Sequence, residues 1–171
     1  DISSNISNPC GQWYQCIRTD KQSPVNLYTN VCKTVWMSTN DGSSWNDLNC
    51  PTGPYFINRM ITVSDNGTVF ACPNDTGGVN TGKLKVYSGG TWGDRTPNGV
   101  GKNQIERVRF SPRNPNIAFA ITSGTNSVGN KIFRSTNLGL NWVNITGAGL
   151  DDVPMADVVA HPTDPNKIYV G

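Results

Sequence analysis

The phrase STNDGSSW, residues 38–45, returns as STNLGLNW, residues 135–142, with five of the eight positions identical and Trp closing both copies. Each copy follows a short β-type run, KTVWM in the first and KIFR in the second. A polar phrase of this kind, set between a strand and a Trp, describes a chain reversal that the fold needs more than once. Gly42 and Gly139 can take a positive φ that would strain any residue with a Cβ. The Ser38 and Ser135 hydroxyls and the Asn40 and Asn137 side-chain oxygens can accept the amide N–H groups of the turn. Trp45 and Trp142 supply a large apolar cap that locks each turn onto its own unit.

Extending the alignment from the tryptophans gives the architecture. Trp45, Trp92 and Trp142 are spaced almost evenly, and the runs before them agree in order. In the third unit ERVRFSPRNPN leads to IAFAITSG, KIFRSTNLG and NWVNIT. In the second, FINRMITVSDNG leads to TVFACPND, KLKVYSGG and TWGDRT. The first reads WYQCIRTDKQSP, VNLYT, KTVWMSTNDG and SWNDLN, and a fourth begins with MADVVAHPTDPN and KIYVG. The runs are short, rich in β-branched and aromatic residues, and separated by turn signals such as DNG, SGG and NPN. No helical periodicity competes with them. Composition alone also allows a β-sandwich, but four strands repeated at this period are the blade unit of a β-propeller. The reading is all-β: a lead-in over 1–11, blades over 12–54, 55–101 and 102–149, and the first half of a fourth over 150–171. Its two strands predict an unpaired edge carrying Ile168 and Val170, to be covered by the remainder of a longer chain or by other subunits.

The repeated phrase resembles the Asp-box of bacterial-neuraminidase-type repeats, Ser-x-Asp-x-Gly-x-Thr-Trp. Ser38, Gly42, Ser44 and Trp45 match it, as do Ser135, Gly139 and Trp142, while Asn40 and Asn137 stand where the acid is usual. The middle copy, YSGGTW, is shortened. NPNIAFAITSG and HPTDPNKIYVG are also similar to the first-to-second strand segments of sortilin-like and xyloglucanase-like propellers. The resemblance implies blades with peripheral, structural Asp-boxes. It does not imply one activity, because sialidases, other glycosidases, receptors and assembly factors share these boxes.

Five cysteines occur, none in a spacing suited to zinc, and His161 is the sole histidine. Neither a metal nor another cofactor is expected. Cys32 and Cys50 flank the first repeated turn symmetrically and are expected to bridge across its strands. Cys10 and Cys16 can close a small loop, or one of them can pair with Cys72. A disulfide points to an oxidising compartment. N-glycosylation triplets at Asn5, Asn66, Asn74 and Asn144 point the same way. The expected location is therefore secreted or extracytoplasmic, at a cell surface or in a periplasm.

Function is less legible. Net charge is +2 with 15% charged residues and no basic run, which argues against nucleic acid. No apolar stretch is long enough for a membrane-spanning helix. A glycosidase needs two carboxylates across a cleft. Asp151, Asp152 and Asp157 cluster before the fourth unit, and Asp157 is the catalytic candidate because it sits at a first strand, near a propeller's channel. The three arginines and the Tyr–Glu pair of sialidases find no match. Arg107 and Arg109, two apart in ERVRF, share one strand face and are the candidate ligand-binding pair for an acidic glycan or a carboxylate. The reading is a binding scaffold for a glycan or protein ligand. Its alternatives are part of a glycoside hydrolase, sialidase-like or xyloglucanase-like, and a structural surface or assembly protein.

Overall fold

The computed structural model describes residue 6 and residues 16–52, 60–72, 83–100, 105–124 and 129–171. Asn5, Cys10 and Asn74 lie outside the described residues. Fourteen strands are present and no helix among the described residues. The first sheet is β1 (Ile17–Thr19), β2 (Leu27–Val31), β3 (Thr34–Ser38) and β4 (Asn46–Asp47). The second is β5 (Ile61–Val63), β6 (Val69–Ala71), β7 (Lys85–Ser88) and β8 (Thr91–Asp94). The third is β9 (Ile105–Ser111), β10 (Asn114–Thr122), β11 (Ile132–Ser135) and β12 (Val143–Asn144). A two-stranded sheet, β13 (Val158–Ala160) and β14 (Ile168–Val170), follows. In every sheet the strands pair antiparallel in chain order. This is the meander that closely spaced short runs and tight turns produce.

The sheets stack face to face, with an apolar layer in each gap. Tyr28, Val35, Ile61 and Val69 fill the first gap. Phe70, Val86, Val108, Ala118 and Phe133 fill the second. Ile117, Phe119, Ile121, Met155 and Val158 fill the third. Strand alternation makes this possible: along β10, Ala118 and Ala120 face back to the second sheet while Phe119 and Ile121 face forward. Ile168 and Val170 also pack into the third gap. Their strand, β14, pairs with β13 and with no further strand among the described residues. Val159 and Tyr169, cross-strand partners in the β13–β14 ladder, face outward at 55% and 52% exposure. First strands meet first strands, β1 against β5, β5 against β9 and β9 against β13, which sets them side by side along a common axis.

The repeated turns have the geometry that their residue types allow. Gly42 has φ 82° and Gly139 φ 78°. Ser38 Oγ accepts from Gly42 N at 2.9 Å, and Asn40 Oδ1 accepts from Ser44 N at 2.9 Å. The second copy repeats this, with Ser135 Oγ and Gly139 N at 2.8 Å and Asn137 Oδ1 and Asn141 N at 2.9 Å. The shortened copy solves the reversal differently. Gly89 (φ 59°) and Gly90 (φ 84°) form a two-residue turn between the paired Ser88 and Thr91.

The tryptophans reach further than a cap on their own unit. Trp92 Nε1 donates to Leu48 O of the first sheet at 2.6 Å. Trp142 Nε1 donates to Arg95 O of the second sheet at 2.7 Å, and its ring lies 6.3 Å from Phe70. Arg95 Nη1 returns a bond to Leu138 O at 2.7 Å. Each of these indoles ties its sheet to the preceding one.

The expected Cys32–Cys50 bridge is absent, because Cys50 is a free, buried thiol. Trp36 pairs with Asp47 and Met37 with Asn46, so the ladder is one residue out of step with a 32–50 pairing. A one-residue offset sends side chains to opposite faces. Cys32 also sits in the β2–β3 turn at φ 55°, off the strand. Cys32 itself is disulfide-bonded. Cys16 and Cys72 are free, and Cys16 Sγ lies 3.2 Å from Asn30 Oδ1.

Candidate functional site

Alternation along β9 divides its side chains. Val108 enters the core against the second sheet. Arg107 and Arg109 point the other way, toward the start of β13. There they meet Asp157, so the three residues singled out from sequence come together although almost fifty positions separate them. Arg109 Nη2 lies 3.2 Å from Asp157 Oδ1 and 3.3 Å from Oδ2. Arg107 Nε lies 3.9 Å from Oδ1, within ion-pair range but beyond a hydrogen bond. Val158 N donates to the same Oδ1 at 2.8 Å, which fixes the carboxylate's direction. Arg109 Nη1 contacts Met60 Sδ, just before β5, at 3.7 Å. The guanidinium therefore spans from the second sheet to the two-stranded one. Two cations face one carboxylate, and the group is about half exposed on Asp157 and about 30% exposed on each arginine.

Asp152 does not join this group. Its Oδ1 lies 2.6 Å from Lys131 Nζ, and Lys131 is 1% exposed. The same ammonium donates to Val153 O at 3.0 Å and to Gly124 O. This network anchors the segment entering β13. Asp151 is exposed. His161 Nδ1 accepts from Asp164 N at 3.1 Å and from Thr163 N at 3.3 Å, which makes it a turn residue. Among the described residues no group of His, Cys, Asp and Glu has the arrangement of a metal site.

One buried carboxylate escaped the sequence reading. Asp20 Oδ1 accepts from Asn26 N at 2.9 Å and Gln22 N at 3.2 Å. Its Oδ2 accepts from Asn26 Nδ2 at 2.7 Å and Tyr28 Oη at 3.1 Å. Burial, and then the Asp20 charge, push the Tyr28 phenol well above its ordinary range. Gly67, at φ 79°, lies over both groups; a Cβ there would come within 3.2 Å of Tyr28 Oη and 3.3 Å of Asp20 Oδ2. The signal in the sequence was Asp at the end of a first strand. Its counterparts are Ser64, Ser111 and His161, which also accept amides of the first-to-second strand turn. Four positions share one task with three residue types.

Of the glycosylation triplets, Asn66 is exposed in the β5–β6 turn. Asn144 lies on β12, and its Nδ2 donates to Asn130 Oδ1 at 3.0 Å and to Gly129 O.

No protein-family model and no curated protein matches the chain. Solved structures do. YCF48 bound to D1 peptide matches over 90% of this chain with a TM-score of 0.60 at 10% identity. The GH74 xyloglucanase from Xanthomonas campestris matches over 85% with a TM-score of 0.67 at 16% identity. An ancestral GH74 enzyme matches over 88% with a TM-score of 0.62 at 19% identity. These are β-propeller proteins. The chain is a run of β-propeller blades. It spans 46% of the YCF48 chain and 24% and 20% of the two enzymes. In propeller terms β1, β5, β9 and β13 are the inner strands; Arg107 and Arg109 lie on β9, and Asp157 immediately precedes its neighbour β13. At these identities the likeness establishes the fold and no activity.

Proposed function

We propose that this chain is part of a propeller-based binding scaffold, secreted or otherwise extracytoplasmic, that takes the acidic segment of a protein ligand at Arg107 and Arg109. The observation supporting this reading is the Arg109 guanidinium, which holds Asp157 through one nitrogen only, with Arg107 within ion-pair range of the same carboxylate. Arg binds carboxylates through its planar fork of donors. Phe110, the neighbouring aromatic, faces the core between the second and third blades. The arginine face therefore offers donors rather than a stacking platform for sugar. Among the propellers of this shape, YCF48 has been solved with a peptide bound. The Cys32 disulfide and the exposed Asn66 triplet support an oxidising, extracytoplasmic setting. The test is retention on immobilised acidic peptides and acidic glycans beside uncharged controls. Peptide retention that Arg109→Gln loses supports the reading. Retention of acidic glycans alone moves the ligand class to carbohydrate, and binding to neither overturns the scaffold reading at this site.

A second reading is favoured by one feature. Asp157 is a half-exposed carboxylate immediately before an inner strand, in a chain whose fold is shared with GH74 enzymes. Turnover of a β-glucan oligosaccharide that Asp157→Asn abolishes would establish it.

A further inference from the structure

We infer that Asp157 is an internal stand-in for the ligand's carboxylate, and that the ligand binds by displacing it from Arg109. This inference rests on the anion-binding reading above and adds a mechanism to it. The grounds are geometric. A strong arginine–carboxylate pair uses two nitrogens on two oxygens, with N···O distances of about 2.7–2.9 Å. Here a single nitrogen, Nη2, is shared between both oxygens at 3.2 and 3.3 Å. The second fork nitrogen, Nη1, is turned to the Met60 thioether at 3.7 Å, and a thioether is a weak acceptor. Arg109 thus holds donor capacity that its internal partner does not use.

Asp157 is also cheap to release. Its side chain is 49% exposed, so a displaced carboxylate is solvated by water rather than stranded in the core. Its Oδ1 keeps the bond from Val158 N, which needs no guanidinium. An incoming carboxylate can instead approach Arg109 with both oxygens and take Nη1 and Nη2 together. Arg107, already within ion-pair range of the same point, adds attraction without having to move far. The internal acid then has two effects. It neutralises part of the site when empty, and it lowers apparent affinity by the fraction of time it occupies Arg109. That reduction is the same for every anion, so a segment with several carboxylates, which can engage Arg107 as well as Arg109, is the ligand best able to bear it.

The test uses the full chain and a fluorescein-labelled hexa-aspartate peptide, read by fluorescence anisotropy at low salt. Asp157→Asn keeps the oxygen that accepts from Val158 N and removes the charge. It should bind the peptide about tenfold or more tightly than the native chain. Arg109→Gln should lose most binding, and the double variant should behave as Arg109→Gln, because relieving competition matters only when Arg109 is present. Asp157→Ser, with melting temperature and near-ultraviolet circular dichroism recorded for each variant, separates the effect from misfolding. If the native chain binds in an Arg109-dependent way and neither Asp157 variant binds more tightly, the stand-in role is overturned and the anion site survives. If no form binds, both are overturned.

Discussion

At the scale of single residues, glycines with similar φ have different reasons to be glycine. Gly139 has φ 78°, and a Cβ there would meet the Phe70 ring at 3.0 Å and Trp142 Cζ2 at 3.2 Å. Gly90 has φ 84° with nothing within 4 Å. Gly90→Ala should therefore cost only the left-handed strain of about 1–2 kcal/mol. Gly139→Ala should cost that plus a further ~1–3 kcal/mol of overpacking. Urea unfolding of the two variants checks the difference, and equal losses would mean that the repeated turn is not wedged against the preceding blade. The buried thiols make a second prediction. Burial pushes Cys50 up to about 12, with Lys85 opposing, and pushes Cys72 up to about 12, with Glu106 adding to it. An unfolded thiol releases its proton near 9.0. The folded state is thus the one that keeps its protons, and stability is fully present below pH 9 and is lost as pH rises toward 12. Tyr28 acts in the same direction at still higher pH. The urea midpoint should fall steeply through this alkaline window, and replacing Cys50 and Cys72 with Ala should flatten the fall.

At the scale of elements, the blades are held to one another by bonds that cross the gaps as well as by apolar layers. Trp142→Phe keeps most of the ring against Phe70 and removes the donor to Arg95 O. Its expected cost is about 1–2 kcal/mol, measured by chemical denaturation, because a part-buried carbonyl loses its partner. Trp92→Phe should behave alike through Leu48 O. A cost near zero in both would show that the indoles act by packing alone. The sequence revealed the blade period and the turns because positive φ and short polar acceptors restrict a reversal to few residue types. It concealed the clamps because the Trp spacing is the same whether an indole caps its own blade or reaches the preceding one. The first-to-second strand turns were hidden for the opposite reason: Asp20, Ser64, Ser111 and His161 all accept amides, so no single residue type marks all four turns. The Cys32–Cys50 reading failed by one step of register, which symmetry about a turn cannot detect. Arg107, Arg109 and Asp157 were each visible as candidates. Their meeting was not, since it depends on which inner strands are neighbours.

At the scale of the whole molecule, a stack of sheets is stable only where its faces are covered. Three gaps in this chain are filled, and the two-stranded sheet commits Val158, Ala160, Ile168 and Val170 to the third of them. Its opposite face carries Val159 and Tyr169, directly paired across the ladder and more than half exposed. Tyr169 has the Lys167 ammonium 5.6 Å above its ring and His161 6.2 Å away, so part of its surface is sheltered by polar neighbours. Val159 has no comparable shield among these contacts. In a propeller this is the face on which a following blade packs. Among the described residues it is an apolar patch on the last sheet, next to a strand edge that pairs with no further strand. The expected outcome is concentration-dependent association, read as a rising apparent mass by light scattering above the 18.5 kDa of one chain. Val159→Lys with Tyr169→Lys should suppress it without lowering the urea midpoint, because neither side chain enters the third gap. Persistence of association in the double variant would place the sticky surface elsewhere. A native chain that stays monomeric at high concentration would show that the polar neighbours of Tyr169 are sufficient to keep the face in water.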